Sequence, residues 1–396
     1  MKQDSIREIS CNPFQEEIFI SATDGGRITL HDTRAKPASV VRTSRAQDAI
    51  QLDKEVTGVQ YHPQTEHLFV TSDGRGRVAL RDTRTGFGSR KERSDNGVVL
   101  NVRLLTPNNR VALKPEVLIS SPQYNTKLSR RDTAHLSNPE SSSVTFNADG
   151  SQLAITMLHY YPTLFKLSDP DPLAFFTGRN TPDGAPFPDG QRTYANSCTM
   201  KHGSFGGPPD DLGVNYYCAG SDNFCGYLWK IPPIEELISM REEISFHDWY
   251  RKDSRTIGFT KKSNSTRYIP HELSTPAAIL KGHDSIVNTA VMHPHLPLIA
   301  TAGIERDICL HSPTPSAPFM HDMKLTPTEV RQLRKESTQE ERDALLQNLL
   351  LDASDHDVDD REEQETINLF DSMLRMDGLP DPFNVRKWVD DDEDSE

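Results

Sequence analysis

The sequence GRITLHDTR at residues 26–34 is repeated as GRVALRDTR at residues 76–84, fifty positions later. Apolar positions upstream recur at the same spacing, and Ile9, for example, is matched by Val59. Short apolar runs bounded by turn residues are typical of β-strands. A period near fifty that contains several such runs predicts a β-propeller or a related array of sheets.

Five segments have this pattern of strand-like runs and turns, and we predict that each forms one blade. They are residues 6–46, 55–90, 143–168, 196–232 and 282–312. In the first blade the strands are expected at Ile6–Cys11, Ile18–Ser21 and Arg27–His31. The fold class predicted from these runs is all-β.

Residues 1–320 are expected to form the propeller, with loop insertions at 91–142, 169–195 and 233–276. Two interpretations of residues 91–142 stand, a sixth blade or an irregular insertion. The insertion at 169–195 is an irregular stretch rich in turn residues, and the one at 233–276 has a short helical pattern at 234–238. Each is either a binding loop on a rigid scaffold or a solvated excursion.

The charge is concentrated in residues 321–396, which hold 9 Lys and Arg and 23 Asp and Glu and so account for the whole net charge of −14. Capping boxes at 326–329 and 337–340 predict helices, and a further helix is expected at about 362–376. The acidic run at 390–394 is predicted to be solvated, with a basic partner such as a histone as the alternative. Because residues 1–320 are neutral overall, no direct nucleic-acid binding is expected.

Composition also bears on the compartment. The sequence has no run of eighteen apolar residues, so no membrane span is predicted. Five cysteines are scattered, odd in number and without a CxxC pair, which is typical of reduced thiols in an intracellular protein. We therefore expect the chain in the nucleus, the cytoplasm or both.

No group of residues requires catalysis as its explanation. His293 and His295 have the spacing of metal ligands, but no Cys or acidic cluster supports them, and Pro294 aligns with the turn residue Pro63. There is no Gly-rich phosphate loop and no nucleophile elbow. We expect no enzyme activity, no cofactor and no metal.

No blade has the full hydrogen-bonded set of His, Ser or Thr, Asp and Trp that is known from propeller blades. His31, Arg81 and His311 stand where tryptophan is usual, and Trp229 is the exception, expected in the core. We therefore expect the stability of the blades to depend more on strand packing than on that hydrogen-bonded set.

The strings that end each repeat point to a binding surface. Asp32 and Arg34 in the first, and Asp82 and Arg84 in the second, follow the third strand of their blades. The simpler interpretation is a turn aspartate beside a solvated arginine. An arginine at the same place in consecutive blades favours a protein interface, because its planar fork of donors suits protein surfaces.

These strings resemble the Trp-Asp-x-Arg box of WD-repeat receptors that dock on cullin-4 ubiquitin ligases through the damaged-DNA-binding adaptor. Further stretches are similar to the cullin-4-associated factor five group, at residues 196–201, 219–224, 229–232, 282–288, 302–305 and 311–313. The resemblance covers roughly residues 5–315 and implies a WD40-type β-propeller with a helical, acidic C-terminal tail.

By this resemblance the protein is a substrate receptor. Asp32, Arg34, Asp82 and Arg84 would bind the adaptor, and another face or the loops would present an unknown protein target. The alternative is a general WD-repeat scaffold in a nuclear complex that handles chromatin or RNA. The family's ring has seven blades, so the five clear blades indicate an N-terminally incomplete product. The segment from about Asn101 to Pro122 is also longer than the family pattern.

Overall fold

The structure is a computed structural model that describes residues 4–34, 48–89, 93–99, 101–102, 117–118, 123–188, 190–208, 215–250, 256–314, 321–333, 359–377 and 381–383. The strands of the first part of the chain are β1 (Ile6–Cys11), β2 (Ile18–Thr23), β3 (Arg27–Asp32), β4 (Ala49–Gln51), β5 (Val56–Tyr61), β6 (Leu68–Asp73), β7 (Val78–Asp82), β8 (Asn101–Val102), β9 (Val117–Leu118) and β10 (Leu128–Arg130). Helix α1 (Thr83–Gly86) and a 3-10 turn at Asp95–Gly97 follow β7.

The later strands are β11 (Ser141–Phe146), β12 (Gln152–Met157), β13 (Thr163–Lys166), β14 (Pro172–Phe176), β15 (Gly203–Gly206), β16 (Asn215–Gly220), β17 (Gly226–Ile231), β18 (Glu242–Ile244), β19 (Ile257–Phe259), β20 (Arg267–Ile269), β21 (His271–Leu273), β22 (Ala278–Leu280), β23 (Val287–Met292), β24 (Ile299–Gly303) and β25 (Ile308–His311). The helices here are α2 (Ile234–Met240), α3 (Phe246–Trp249) and α4 (Asp359–Asp377).

The five predicted blades each form a sheet of antiparallel neighbours, which confirms the all-β class and is consistent with a WD40-type propeller. Blade 1 is β1-β2-β3-β4, blade 2 is β5-β6-β7, blade 3 is β11-β12-β13-β14, blade 4 is β15-β16-β17-β22 and blade 5 is β23-β24-β25. Strand β21 adds to the outer edge of blade 3 in parallel with β14.

Side chains on the innermost strands of blades 1–4 hydrogen-bond to the innermost strand of the next blade. Glu8 accepts from the Val59 N–H at 2.6 Å, and Gln60 accepts from the Phe146 N–H at the same distance. Thr145 donates to the Gly203 carbonyl in blade 4, and Ser204 accepts from the N–H of Met292 in blade 5. The blades therefore follow one another in chain order around an arc.

The hydrophobic core fills the spaces between successive blades. Ile20, Val59 and Phe69 belong to the cluster between blades 1 and 2. The cluster between blades 3 and 4 is built around Trp229, which is fully buried as predicted and donates its indole N–H to the Thr177 carbonyl.

The residues that replace tryptophan still make hydrogen bonds across their blades. His31 contacts Ser21 Oγ at 2.9 Å, Arg81 donates Nε–H to Thr71 Oγ1 at 2.9 Å, and Thr301 Oγ1 lies 2.7 Å from His311 Nε2. Each substitute therefore still reaches the hydroxyl of the neighbouring strand. That stability depends more on strand packing than on these hydrogen bonds stays a prediction.

Residues 91–142 do not form a sixth blade in the described parts. Val98 pairs with Arg81 and Gln123 pairs with Ala79, on the free edge of β7. The Val99 N–H donates to the carbonyl of Leu80, which lies between these two pairs. Val99 and Gln123 therefore lie opposite Leu80 and Ala79, two consecutive residues of β7, as neighbours in one outer strand would. Residues 100–122 are an insertion between them.

The insertion at 233–276 is more ordered than expected. Strands β18, β19 and β20 pair with β10 in a separate four-stranded sheet. Arg267 is buried in this unit, and its guanidinium lies 5.3 Å from the ring of Phe246. Helix α2 confirms the short helical pattern predicted at 234–238, whereas the sheet was not predicted.

The C-terminal region packs on the propeller. Helix α4 confirms the helix predicted at about 362–376, whereas the helix predicted from residue 326 is wrong, since residues 326–333 are not helical. Arg331 forms an ion pair with Asp371 of α4 at 2.7 Å, and Leu374 packs with Ile286 of blade 5. The second capping box, at 337–340, and the acidic run at 390–394 lie outside the described residues.

Candidate functional site

The first Asp-x-Arg box closes the turn after β3. The Asp32 carboxylate accepts from the Arg34 backbone N–H at 3.0 Å and forms a two-pronged ion pair with the guanidinium, at 2.9 Å from both Nε and Nη2. The N–H of Thr33, between them, donates to the Glu17 carbonyl in the preceding turn. The backbone and side chain of Arg34 are thus both fixed by the same aspartate.

The second box has the same geometry after β7. The Asp82 carboxylate accepts from the Arg84 backbone N–H at 2.8 Å and from Nη2 at 2.7 Å, and Nε also contacts it. The Thr83 N–H donates to the His67 carbonyl, as Thr33 does to Glu17. Asp82 also caps helix α1. The fifty-residue repeat therefore reproduces the contacts of this turn as well as its sequence.

Both boxes lie on one side of the arc, which we call the box face. The innermost strands of blades 1 and 2 run parallel, because Glu8 and Ser10 bond to residues 59 and 61 in the same order. The bonds between each later pair of innermost strands keep this order, so all five strands run parallel. The turns after the first and third strands of every blade therefore point to the same side. Arg34 and Arg84, in neighbouring blades, are both in turns of this kind.

Each arginine presents part of its guanidinium to solvent. The side chains of Arg34 and Arg84 are 56% and 66% exposed, and their contacts within the described residues use Nε and Nη2. The Nη1 edge is left to contact a second protein, for example through its carboxylates or backbone carbonyls. Because the paired aspartate restricts the side chain, less conformational entropy is lost when a partner binds.

The ion pairs within the boxes shift the pKa values of three of their side chains. Hydrogen bonds from Arg34 lower the pKa of Asp32, and that carboxylate raises the pKa of Arg34. In the second box the bond to Asp82 raises the pKa of Arg84. The ion pair therefore favours the charged forms of Asp32, Arg34 and Arg84.

The third Asp-Thr string, at residues 131–133, does not form such a box. Arg130, rather than an arginine after the aspartate, donates to Asp132 at 2.7 Å, and it also pairs with Asp381 at 2.8 Å. The Arg130 guanidinium lies 4.5 Å from the ring of Phe383. This arginine therefore anchors the C-terminal segment, a role that the repeat pattern gave no means of predicting.

The histidine pair at residues 293 and 295 forms a turn, as the sequence predicted. Nδ1 of His293 accepts from the N–H groups of His295 and Leu296. Asn12 has the same role in blade 1, where its Oδ1 accepts from Phe14 and Gln15.

Within the described ranges no three His, Cys, Asp or Glu side chains are grouped as metal ligands would be. None of the helices described is long and apolar enough to cross a membrane.

Comparison with known proteins gives a partial match. No family model matches the chain. It is 29% identical over 179 residues to the mouse protein named DDB1- and CUL4-associated factor 5, and 28% identical over 179 residues to the human protein of that name. The matched region is 45% of this chain and spans 14% of the length of each relative. The resemblance to the cullin-4-associated factor five group is therefore confirmed as a similarity of sequence.

Proposed function

We propose that this chain is a non-enzymatic substrate receptor of a cullin-4 RING ubiquitin ligase. It docks on the damaged-DNA-binding adaptor through Asp32, Arg34, Asp82 and Arg84, and it presents a protein target for ubiquitination. In this role it acts in the nucleus, the cytoplasm or both, and needs no cofactor.

The observation that carries the proposal is the pair of equivalent boxes on one face of neighbouring blades. Two clamped arginines, each with an exposed edge, provide a rigid two-point contact for one partner surface. The similarity to relatives whose names associate them with DDB1 and CUL4 supports the identity of that partner.

The test is co-purification with the damaged-DNA-binding adaptor, using the wild type and Arg34→Ala/Arg84→Ala. Loss of two interface arginines should weaken binding by about thirtyfold or more. Because both side chains are exposed, the double variant should unfold at the same temperature as the wild type.

The matched control is Arg7→Ala/Arg179→Ala, which removes two other exposed, ion-paired arginines that lie outside the boxes. It should bind the adaptor as the wild type does. A folded Arg34→Ala/Arg84→Ala variant that still binds would refute docking through the boxes. A folded wild type that never binds the adaptor would favour the general scaffold in a chromatin- or RNA-related complex.

A further inference from the structure

A cavity of about 400 Å³ lies on the side of the arc opposite the box face. Its walls are the insertion at 169–195, the outer part of blade 4 and the segment at 330–333. This volume lies within the range of small-ligand sites and suits a few residues of a peptide. The cavity includes Asn223 and Cys225 of the turn between the second and third strands of blade 4, which lies on the side opposite the turns that hold the boxes.

The described lining of the cavity is basic. It includes Arg192, Lys281 and Arg331 and no acidic side chain. Arg331 is already paired with Asp371, but no carboxylate of the described residues forms an ion pair with Arg192 or Lys281. Asp222 and Asp371 act on Arg192 electrostatically without forming an ion pair with it, so the cations that line the cavity exceed the carboxylates, of which the described lining has none.

The aromatic ring behind these cations is held by a strained backbone. Phe224 is buried and has a φ of 68°, a value that bulky residues rarely adopt. The same turn position in blades 1 and 2 is occupied by Gly26 and Gly76, with φ of 77° and 71°. In blade 4 the side chain places its ring 5.3 Å from the Arg192 guanidinium and 4.7 Å from that of Arg331.

Hydrogen-bonding capacity is left unused beside this ring. Asn223 is only 7% exposed, and its Oδ1 has no partner within the described residues. Nη1 of Arg192 is likewise buried without one. Unpaired buried groups are unfavourable, so a ligand that offers an acceptor to Arg192 and a donor to Asn223 would be stabilised here. A peptide has both, in a carboxylate and a backbone N–H.

We infer that this cavity binds a short acidic segment of another protein. A carboxylate of the segment contacts Arg192 and Lys281, and an adjoining apolar side chain packs against Val330 and Leu333. The cavity and the boxes lie on opposite faces, so the adaptor and this segment can bind together. That the segment belongs to a ubiquitination target rests on the proposed function; binding of the acidic peptide itself does not.

The test measures binding of two fluorescein-labelled hexapeptides to the full chain by fluorescence anisotropy. One has a leucine flanked by Asp and Glu, and the other has Asn and Gln at those positions. The wild type should prefer the acidic peptide by about tenfold or more, and added salt should reduce the preference. Arg192→Gln and Lys281→Glu should each abolish it.

Lys230→Glu is the matched control, because Lys230 is exposed on the same blade and outside the cavity. It should retain the preference. Lys281 is also exposed, so the fold should tolerate Lys281→Glu even if Arg192→Gln unfolds. Equal binding of the two peptides by the wild type, or an unchanged preference in folded Lys281→Glu, would overturn the inference.

A further variant separates a partner's segment from the chain's own acidic run. In it Asp390, Asp391, Asp392 and Asp394 are replaced by Asn. The same peptide affinity as wild type supports binding of another protein, whereas binding that appears only in this variant identifies the chain's own run as the occupant and overturns the inference. Lys281→Glu should still co-purify with the adaptor, so failure of the cavity and failure of the boxes give different results.

Discussion

Blades 1 and 2 have nearly the same sequence repeat, the same register and the same Asp–Arg ion pair, but their surroundings differ. Ala22 pairs with Ile28 in blade 1 as Ser72 pairs with Val78 in blade 2. Blade 2 packs between blades 1 and 3, and all six residues of β6 are buried. In blade 1, Ile6 is 60% exposed on β1. The repeat therefore determines strand pairing, whereas the neighbouring blades determine burial.

The same contrast holds for the polar residue inside each blade. Arg81 is buried, donates to Thr71 and also reaches the Asn96 carbonyl at 2.7 Å. His31 is only partly buried, where it contacts Ser21 and stacks on Phe19 with ring centres 4.5 Å apart. Position in the arc should thus give equivalent residues unequal effects on stability.

The largest effect on stability is expected from substitution of Arg81 and His31. Arg81→Ala should lower the free energy of unfolding by about 3–4 kcal/mol, because it creates a cavity and leaves Thr71 and the Asn96 carbonyl without their donor. His31→Ala should lower it by only about 1–2 kcal/mol, since solvent can replace the lost contact. Urea unfolding of both variants measures the difference. Equal losses would show that the two blades are energetically alike.

The next largest effect concerns the contact between the two blades. Burial raises the pKa of Glu8 to about 7, although the Val59 N–H opposes the shift. The folded state therefore holds a proton that the unfolded chain releases above pH 4.5. Stability should fall as the pH rises from about 4.5 to about 7, by up to about 3 kcal/mol.

Glu8→Gln is the test of that dependence, because the amide keeps an acceptor for Val59 and cannot titrate. The difference in unfolding free energy between variant and wild type should change across this pH range and be constant above it. A constant difference from pH 4 to 8 would contradict a raised pKa for Glu8. Comparing the two proteins cancels the contributions of Glu140 and Asp171, whose pKa values burial also raises.

Local patterns were sufficient to predict the blades and both boxes. The strands of blade 1 lie within a residue or two of their predicted ends, because alternating apolar residues and turn residues act locally. The Asp-x-Arg geometry is equally local, since all its contacts except that of the intervening threonine join residues two apart. Such features are encoded within one short stretch.

Features that depend on distant residues could not be predicted in this way. The sheet of the 233–276 insertion requires β10, more than a hundred residues earlier in the chain. The cavity requires Arg192 and Arg331 to meet at Phe224. The positive φ of Phe224 could not be predicted, because glycine usually occupies such a position. Only the turn residues of the 169–195 insertion hinted at a binding loop.

A smaller change in stability, of the opposite sign, is expected when the insertion in the outer strand of blade 2 is deleted. Deletion of residues 100–122 joins Val99 to Gln123, which are already consecutive in the register opposite β7. A shorter connection loses less entropy on folding, so stability should rise by about 1–2 kcal/mol. Urea unfolding checks this, with a deletion of 103–116 as the control that leaves β8 and β9 in place. A destabilised or unfolded Δ100–122 variant would contradict the assignment of these residues as an insertion.

The smallest effect separates stability from binding in the two boxes. Asp82 is 12% exposed and caps α1, so Asp82→Ala should lower the free energy of unfolding by about 1 kcal/mol. Asp32 is 38% exposed and caps no helix, so Asp32→Ala should leave the unfolding midpoint nearly unchanged. Adaptor affinity should nevertheless fall by a similar factor in both variants, because each releases one clamped arginine. If affinity instead followed stability, the boxes would be parts of the fold rather than equivalent contacts with a partner.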